Sequence, residues 1–166
     1  ILDMTRLESG AVTPRRESVD VADVMGSVLR RVARLLPPAR VILSLAEGLP
    51  MVTLDPVLFE QVLFNLLDNA AKYTPPDSPV TIRATADNKV VRIDVMDEGD
   101  GLPDEDREKV FDKFYRVCAA DRKRAGTGLG LSIAHGFMEA MGGSIAAANR
   151  GDRSGAIFTL TLPVTP

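Results

Sequence analysis

The sequence of 166 residues has no tryptophan, a single cysteine and a single histidine. One cysteine excludes an internal disulfide and is typical of a reducing compartment. One cysteine and one histidine also leave little for a zinc site. No apolar run approaches the ~20 residues that a membrane-spanning helix needs, and the first residues do not have the pattern of a signal peptide.

The chain also lacks an excess of charge of either sign. Its 20 basic and 23 acidic residues give a formal net charge of −3, so nucleic acid is not an expected partner. Hydrophobic residues make up 45% and charged residues 26%, which is ordinary for a globular protein. The length suits one domain with a real hydrophobic core, or one domain plus a short extension.

Hydrophobic periodicity predicts three main helices and five or more strands. The helices are expected at 20–36, with Val21, Val24, Val28 and Leu35 facing inward, at 55–74, and at 129–141. The strands are expected at 17–19, 41–45, 51–54, 80–86, 90–97, 144–149 and 156–162, with a short helical turn at 104–110 and a loop at 117–125. This order predicts an α+β fold, a two-layer α/β sandwich in which a mixed sheet of about five strands packs against three helices.

The helix predicted from residue 55 carries the first chemical motif, DPVLFEQVLFNLLDNAAKYTP. Asp55 and Pro56 are typical of an N-cap and a first helical position, and Pro75 ends the helix. The residues expected to face the core are Val57, Leu58, Val62, Leu66 and Ala70. A polar stripe is usually the wet face of a helix, but asparagine is a weak helix former. Asn65, Asn69 and Lys72 would set two amide oxygens beside an ammonium, a set suited to magnesium and phosphate.

The second motif follows the strand predicted at 90–97. Val91, Ile93 and Val95 share one face, and Asp97 is the next residue on that face. An Asp–Gly turn is common at strand ends. An inward-facing carboxylate nevertheless needs a donor, such as the exocyclic amine of adenine.

Two further motifs follow in the C-terminal half. AGTGLGL, residues 125–131, opens directly into a helix, where glycines permit close backbone approach and the helix N-terminus attracts anions. A flexible loop is the usual explanation of such a pattern, and the absence of a preceding strand disfavours a Rossmann fingerprint. Between these motifs, VFDKFYR clusters aromatic residues that are either core or a docking surface.

In this order, the motifs resemble those of the Bergerat-fold ATP-binding domain of histidine kinases. NLLDNAAKYTP is similar to the family's N box, DEGDGLP to its first glycine box, FDKFYR to its F box and GTGLGLSIAHGFMEAMGGSI to its second glycine box. The closing GAIFTLTLP is similar to the family's final strand, and the resemblance covers roughly residues 19–163. LFEQVLFNLLDNAAKYTP and FDKFYR also resemble the potassium-responsive Kdp-type sensor kinases.

The resemblance implies magnesium-assisted transfer of the ATP γ-phosphoryl group to a histidine, with ATP and Mg²⁺ as cofactors. It implies that Asn69 is the main magnesium ligand, that Asn65 supports the metal or its water, and that Lys72 contacts phosphate. Tyr73 would cover the adenine, and Asp97 would accept its amine. The other implied nucleotide-binding residues are Gly99, Gly101, Leu102, Arg116, Gly126, Thr127, Gly128, Leu129 and Gly130. In many relatives a threonine follows the last glycine, but Ala156 follows Gly155 in this chain, so that Thr159 or a water would take its role.

The resemblance also implies a division of the chain and a set of partners. Residues 1–10 would be the end of a dimerisation and phosphoacceptor helix, 11–18 a linker and 19–166 the ATP-binding catalytic domain. Phe111 and Phe114 would contact that helical bundle, and a response regulator would receive the phosphoryl group. The parent chain is expected to be a homodimer in the bacterial inner membrane, with this domain in the cytoplasm.

The histidine that accepts the phosphoryl group is expected to lie outside this sequence. His135 belongs to a predicted helix, off its apolar stripe, and is expected to face solvent. The chain is therefore expected to bind Mg·ATP without phosphorylating itself.

Three alternatives stay open at this level. An anti-sigma-type serine protein kinase shares the fold, but the helical pattern of residues 1–10 speaks against it. A nucleotide-binding module without turnover is disfavoured by the set of Asn69, Lys72 and Asp97. A gyrase- or chaperone-like ATPase uses a glutamate base on the asparagine helix, where this chain has Asn65.

Overall fold

The computed structural model describes residues 13–102, 111 and 130–165. The segment predicted as a phosphoacceptor helix, 1–10, lies outside the described residues. The helical turn predicted at 104–110 and the loop predicted at 117–125 lie outside them as well. Among the described helices, none combines the length and the apolar character that a membrane crossing requires.

In the part of the chain that the structure describes, seven strands form two sheets. The strands are β1 (Glu17–Val19), β2 (Val41–Leu45), β3 (Val52–Leu54), β4 (Val80–Ala86), β5 (Val90–Met96), β6 (Ser144–Asn149) and β7 (Ala156–Pro163). Five of them form a mixed sheet in the order β2-β4-β5-β7-β6, in which only β2 and β4 run parallel. β1 and β3 form a separate antiparallel pair, so the segment before the first helix is tied to the domain.

The described residues include three α-helices beside the sheet: α1 (Val21–Arg31), α2 (Pro56–Lys72) and α3 (Gly130–Ala140). A short 3₁₀ helix, Pro38–Arg40, leads into β2. The central helix α2 contacts both α1 and α3, and one continuous cluster of buried side chains joins the helices to the sheet. This arrangement confirms the predicted α+β sandwich of three helices on a five-stranded mixed sheet.

The start of α2 has the predicted cap. The buried carboxylate of Asp55 accepts hydrogen bonds from the N–H groups of Val57 (2.9 Å) and Leu58 (3.3 Å) through Oδ1. Its second oxygen accepts from the backbone N–H of Arg15 at 2.8 Å. One side chain therefore satisfies two open donors of the helix and fixes the preceding segment against it.

Two core assignments and one helix end were wrong. Val57 is 70% exposed because it lies on the side of α2 opposite the buried face. The next residue, Leu58, lies at the edge of the buried face. The first helix ends at Arg31 instead of near residue 36, and Leu36 bonds back to the carbonyl of Val32 in a turn. The residue before a proline avoids helical geometry, and the turn buries Leu36 in place of Leu35, which is 46% exposed.

Candidate nucleotide-binding site

The polar face of α2 presents the first group of predicted site residues. Its opposite face is buried, which fixes the rotation of the helix. Asn65, Asn69, Lys72 and Tyr73 are all half-buried. Residues three and four positions apart are neighbours on a helix, so these side chains share one side of α2.

The two asparagines differ in their hydrogen bonding. Asn65 accepts from Gln61 Nε2 (2.8 Å) and donates from Nδ2 to the carbonyl of Gly130 (3.1 Å). None of the described residues forms a hydrogen bond with the side-chain amide of Asn69. Asn65 is therefore committed to joining α2 to the start of α3, whereas the Asn69 amide is available to a ligand.

Lys72 lies on the same helix and pairs with Asp68, one turn earlier, at 3.0 Å. The other oxygen of Asp68, Oδ1, is buried and has no hydrogen-bond partner among the described residues. An ion pair at this spacing is worth only about 0.3–0.5 kcal/mol. The ammonium of Lys72 therefore lies beside a carboxylate of its own helix, one turn away.

Asp97 follows β5, and its side chain is buried, as the alternation of that strand predicts. Its Oδ1 accepts two backbone hydrogen bonds, from the N–H groups of Gly99 and Ala156, each at 3.0 Å. Its Oδ2 receives no hydrogen bond from any described residue. A carboxylate that keeps one oxygen in reserve is suited to accept one hydrogen bond from a ligand.

The end of α2 and the loop after β5 approach each other at Gly99. A Cβ on Gly99 would lie 3.0 Å from the carbonyl oxygen of Tyr73 and 3.1 Å from Cγ2 of Thr74. The N–H of Tyr73 in turn donates to the carbonyl of Asn69 at 3.1 Å. Gly99 thereby connects the Asp97 loop directly to the helix turn that carries Asn69.

Arg40 secures the segment that leaves α2. Its guanidinium donates to the carbonyl of Ser78 (2.8 Å) and to Oγ1 of Thr74 (2.9 Å). The Thr74 hydroxyl donates in its turn to the carbonyl of Ala70 at 2.6 Å. These contacts fix the helix end against which Gly99 packs.

Helix α3 begins at Gly130 beside Asn65, as the Asn65–Gly130 hydrogen bond shows. His135 on this helix is not simply solvent-facing. Its side chain is 40% exposed, lies 3.1 Å from Glu139 and stacks on Phe111 with ring centroids 5.4 Å apart. Phe111 also meets Phe158 edge to face, so its ring packs within this domain.

Thr159 does not replace the threonine that many relatives have after the last glycine. Its hydroxyl donates to Oδ1 of Asp94 at 2.7 Å, one strand across. The N–H of Ala156 binds Asp97 instead. The residue after the last glycine therefore contacts Asp97 through its backbone.

The structure brings Asn65, Asn69 and Lys72 on α2, and Tyr73 directly after it, together with Gly99 and Gly130. Gly101 and Leu102 continue the loop that starts at Asp97 and lie against Asn149. The remaining predicted site residues lie outside the described residues: Phe114, Arg116, Gly126, Thr127, Gly128 and Leu129.

Sequence reasoning missed the residues that support this site from a distance, namely Arg40, Thr74, Asn149, Arg150 and Ser154. Asn149 was predicted only as the end of the strand 144–149, and Arg150 and Ser154 lie in the polar stretch between the last two predicted strands. Its one available signal was the density of arginine, serine and asparagine, side chains that bind exposed carbonyl groups.

The donor set suits magnesium better than a transition metal. No cluster of three or more His, Cys, Asp or Glu side chains that could hold a metal occurs in the part of the chain that the structure describes. Magnesium, however, retains several waters and accepts one or two protein oxygens. The uncommitted amide oxygen of Asn69 is an oxygen of this kind.

Comparison with known proteins agrees with this geometry. Residues 54–166 match the family model of histidine kinase-, DNA gyrase B- and HSP90-like ATPases. The sensor protein KdpD of Escherichia coli K12 is 38% identical over 165 residues, which is 98% of this chain and 18% of KdpD. The chain therefore spans about a fifth of that relative.

Two solved histidine kinase structures share the fold. The catalytic domain of histidine kinase ThkA superposes with a TM-score of 0.78 at 26% identity, over 92% of this chain and 99% of that domain. Full-length ShkA in complex with AMPPNP gives a TM-score of 0.80 at 26% identity, over 98% of this chain and 34% of ShkA. With a family model that covers most of its length, the chain belongs to the histidine kinase-, DNA gyrase B- and HSP90-like ATPases, and its fold is that of a sensor histidine kinase catalytic domain.

Proposed function

We propose that this chain is the catalytic domain of a sensor histidine kinase of the Kdp type, and that it binds ATP with Mg²⁺. The observation that carries the proposal is the pair of uncommitted acceptors on two adjoining elements. The Asn69 amide on α2 and Asp97 Oδ2 after β5 have no hydrogen-bond partner among the described residues. Gly99 packs between the segments that carry them.

The two acceptors match the two ends of a nucleotide. Asp97 Oδ2 accepts a hydrogen bond from the exocyclic amine of adenine. Guanine has a keto oxygen at the same position, and this oxygen would face the Asp97 oxygen without a proton between them. The Asn69 oxygen ligates the magnesium, and Lys72 exchanges Asp68 for a phosphate oxygen. Bound magnesium would neutralise charge on the phosphates, and the protein contributes chiefly positioning.

The phosphoryl acceptor is proposed to be a histidine on a separate dimerisation and phosphoacceptor domain, from which a response regulator receives the group. The same proposal divides the chain into the end of the phosphoacceptor helix, a linker and the catalytic domain, at residues 1–10, 11–18 and 19–166. It also includes contact of Phe111 and Phe114 with the phosphoacceptor domain. Arg116 and the 126–130 loop are proposed to act on the phosphate side of the nucleotide. Homodimerisation of the parent chain and its place in the bacterial inner membrane, with this domain in the cytoplasm, are also proposed. The AMPPNP complex of ShkA supports the nucleotide assignment.

Calorimetric titration with AMPPNP and magnesium tests the adenine assignment. Asp97→Asn keeps an oxygen for the two backbone donors but turns an amide NH₂ towards the ligand. Loss of a charge-assisted hydrogen bond worth about 1.5–3 kcal/mol should weaken binding roughly 10–100-fold. Asp94→Asn is the matched control, since Asp94 precedes it on β5 but bonds Arg83 and Thr159. Equal affinities of the two variants would refute the assignment.

The same titration with and without magnesium tests Asn69. In the unaltered chain, magnesium should strengthen binding, and Asn69→Ala should remove most of that gain. Asn88→Ala, in the exposed turn between β4 and β5, should leave it intact. A full magnesium effect in Asn69→Ala would exclude Asn69 as the ligand.

Phosphoryl transfer is tested with γ-labelled ATP and an added histidine-bearing bundle of a Kdp-type kinase. Acid-labile, base-stable label is expected on the bundle, and none on this chain. Label that is acid-stable on serine would instead support the anti-sigma type of kinase. Tight binding with no transfer to any acceptor would support the module without turnover.

A further inference from the structure

The last residue of β6 and the turn that follows it, residues 149–155 and hereafter the β6–β7 turn, form several hydrogen bonds with one other segment. That segment, residues 97–102, is the loop that begins at Asp97. The residues that bond between the two segments are 47 to 55 positions apart in sequence. A solvated hairpin turn would have no need of such contacts, so their concentration requires an explanation.

The side chain of Asn149 forms hydrogen bonds with both backbone groups of Leu102, as the backbone of a neighbouring strand would. Its Oδ1 accepts from the N–H of Leu102, and its Nδ2 donates to the carbonyl of the same residue, both at 2.6 Å. A side chain that satisfies both backbone groups of one residue fixes the position and the direction of that peptide. The end of the Asp97 loop is therefore anchored by one residue.

Arg150 performs the same task at the start of the loop. Its side chain is only 7% exposed, and Nη1 donates to the backbone carbonyl of Asp97 at 3.1 Å. Asp152 holds the guanidinium from the other side, at 3.0 Å to Nε and 3.1 Å to Nη2. The exposed Asp152 has a pKa lowered chiefly by this hydrogen bond, so its carboxylate stays charged at neutral pH.

Backbone contacts complete the attachment. The N–H of Asp97 donates to the carbonyl of Ala156, and the N–H of Ala156 returns a bond to Asp97 Oδ1, each at 3.0 Å. The Ser154 hydroxyl donates to the carbonyl of Gly99 at 2.7 Å. The Asp97 loop is thus bonded at Asp97, Gly99 and Leu102 to the β6–β7 turn or to the first residue after it.

We propose that Asn149 and Arg150 are positioning residues for the nucleobase, which act by holding the Asp97 loop so that Oδ2 alone is left to accept a hydrogen bond. The inference rests on the proposed nucleotide site and extends it to residues that contact no part of the ligand. A loop that is ordered before binding loses less conformational entropy when the base enters. Loss of this order should weaken recognition of the base and leave recognition of the phosphates unchanged.

The experiment compares three ligands, each with magnesium: AMPPNP, GMPPNP and inorganic tripolyphosphate. Asn149→Ala and Arg150→Ala should each weaken AMPPNP binding about fivefold to twentyfold, as expected for a binding loop that must be ordered by its ligand. The preference for AMPPNP over GMPPNP should fall by a similar factor. The affinity for tripolyphosphate should change less than about twofold, because none of the proposed phosphate-side residues belongs to the β6–β7 turn or to the Asp97 loop.

Arg153→Ala is the matched control from the same turn. Arg153 is 55% exposed, and its only partners among the described residues are the side chains of Glu98 and Asp152, so it donates no hydrogen bond to the described backbone of the Asp97 loop. Its removal should leave the affinities for all three ligands unchanged. Arg150→Lys, which keeps a donor near the Asp97 carbonyl, should recover part of the loss in Arg150→Ala.

Amide hydrogen exchange gives a readout that needs no variant. In the unaltered chain without ligand, the N–H groups of Leu102 and Ala156 should be protected, since both are bonded before any base arrives. Exchange of these amides at the rate of free peptide would overturn the proposal. Because this measurement uses the unaltered chain, it tests the positioning role even if the Asn149 or Arg150 variant does not fold.

The outcomes distinguish failure of the proposed nucleotide site from failure of the proposed positioning role. If the unaltered chain binds none of the three ligands, the proposed function fails. If it binds AMPPNP but the Asn149 and Arg150 variants match Arg153→Ala, the site stands and the positioning role is wrong. Equal loss for AMPPNP and tripolyphosphate would also overturn it, because the β6–β7 turn would then support the whole domain and not the base.

Discussion

Substitution of Gly155 by alanine tests how tightly the β6–β7 turn fits the Asp97 loop. Gly155 has φ = +144°, a conformation that residues with a side chain rarely adopt. A Cβ at this position would overlap the backbone carbonyl oxygen of Asp97 and lie 3.0 Å from Cδ of Arg150. The added methyl group therefore meets backbone, which cannot rotate away.

The expected cost has two parts. The backbone conformation costs about 1–3 kcal/mol for a non-glycine residue, and forcing apart packed atoms costs typically another 1–3 kcal/mol. A total of roughly 2–6 kcal/mol corresponds to a fall in Tm of about 5–20 °C at 2–4 °C per kcal/mol. Movement of Asp97 should also break its bond from the N–H of Ala156 and weaken AMPPNP binding.

Gly48→Ala separates the two parts. Gly48 also has a positive φ, +69°, but a Cβ there would meet nothing within 4 Å. Its replacement should cost only the conformational part, about 1–2 kcal/mol, with no effect on nucleotide affinity. Urea unfolding of both variants, followed by calorimetry, measures the difference. Equal losses of stability in Gly155→Ala and Gly48→Ala would refute the tight fit between the turn and the loop.

Two further predictions concern other carboxylates. Asp55→Ala should lower the free energy of unfolding by about 2–3 kcal/mol, because a buried helix cap and the hydrogen bond from Arg15 are both lost. Asp20→Ala removes an exposed cap and should lower it by only about 0.5–1 kcal/mol. Equal losses in urea unfolding would contradict this. The hydrogen bond from Arg150 lowers the pKa of Asp152, so its stabilising effect is complete above the ordinary aspartate pKa and is lost as the pH falls through the lowered value. A ¹³C NMR titration should show this pKa rising in Arg150→Ala, and an unchanged pKa would mean that the pair is not formed in solution.

Local patterns predicted most of the secondary structure. The strands β1, β2, β4 and β6 have the expected bounds, and α2 starts at its predicted cap, because alternation and capping depend on neighbours in sequence. The direction in which a helix faces depends on tertiary packing. Val57 and Leu35 are apolar and lie near helix ends, where periodicity alone does not decide which side is buried.

The site divides along the same line. The positions of Asn69 and Asp97 follow from the periods of a helix and a strand, so the residues that offer a free acceptor were predictable. The roles of Asn149 and Arg150 were not, since they depend on contacts across about fifty positions of sequence. Polar residues in a turn are usually solvated, and only the register of β7 against β5 reveals that these bind another loop.

The sheet order has a consequence for the way this domain is made. β7 pairs with β5 on one side and β6 on the other, and its first residue lies 59 positions after Asp97. At a synthesis rate of about 5–20 residues per second, β5 waits roughly 3–12 s for its second neighbour. During that interval a long apolar strand edge is open to other nascent chains. Asp97 Oδ1 gains its second backbone donor only when β7 has been made, so we expect nucleotide binding to begin only when synthesis of the domain is almost complete.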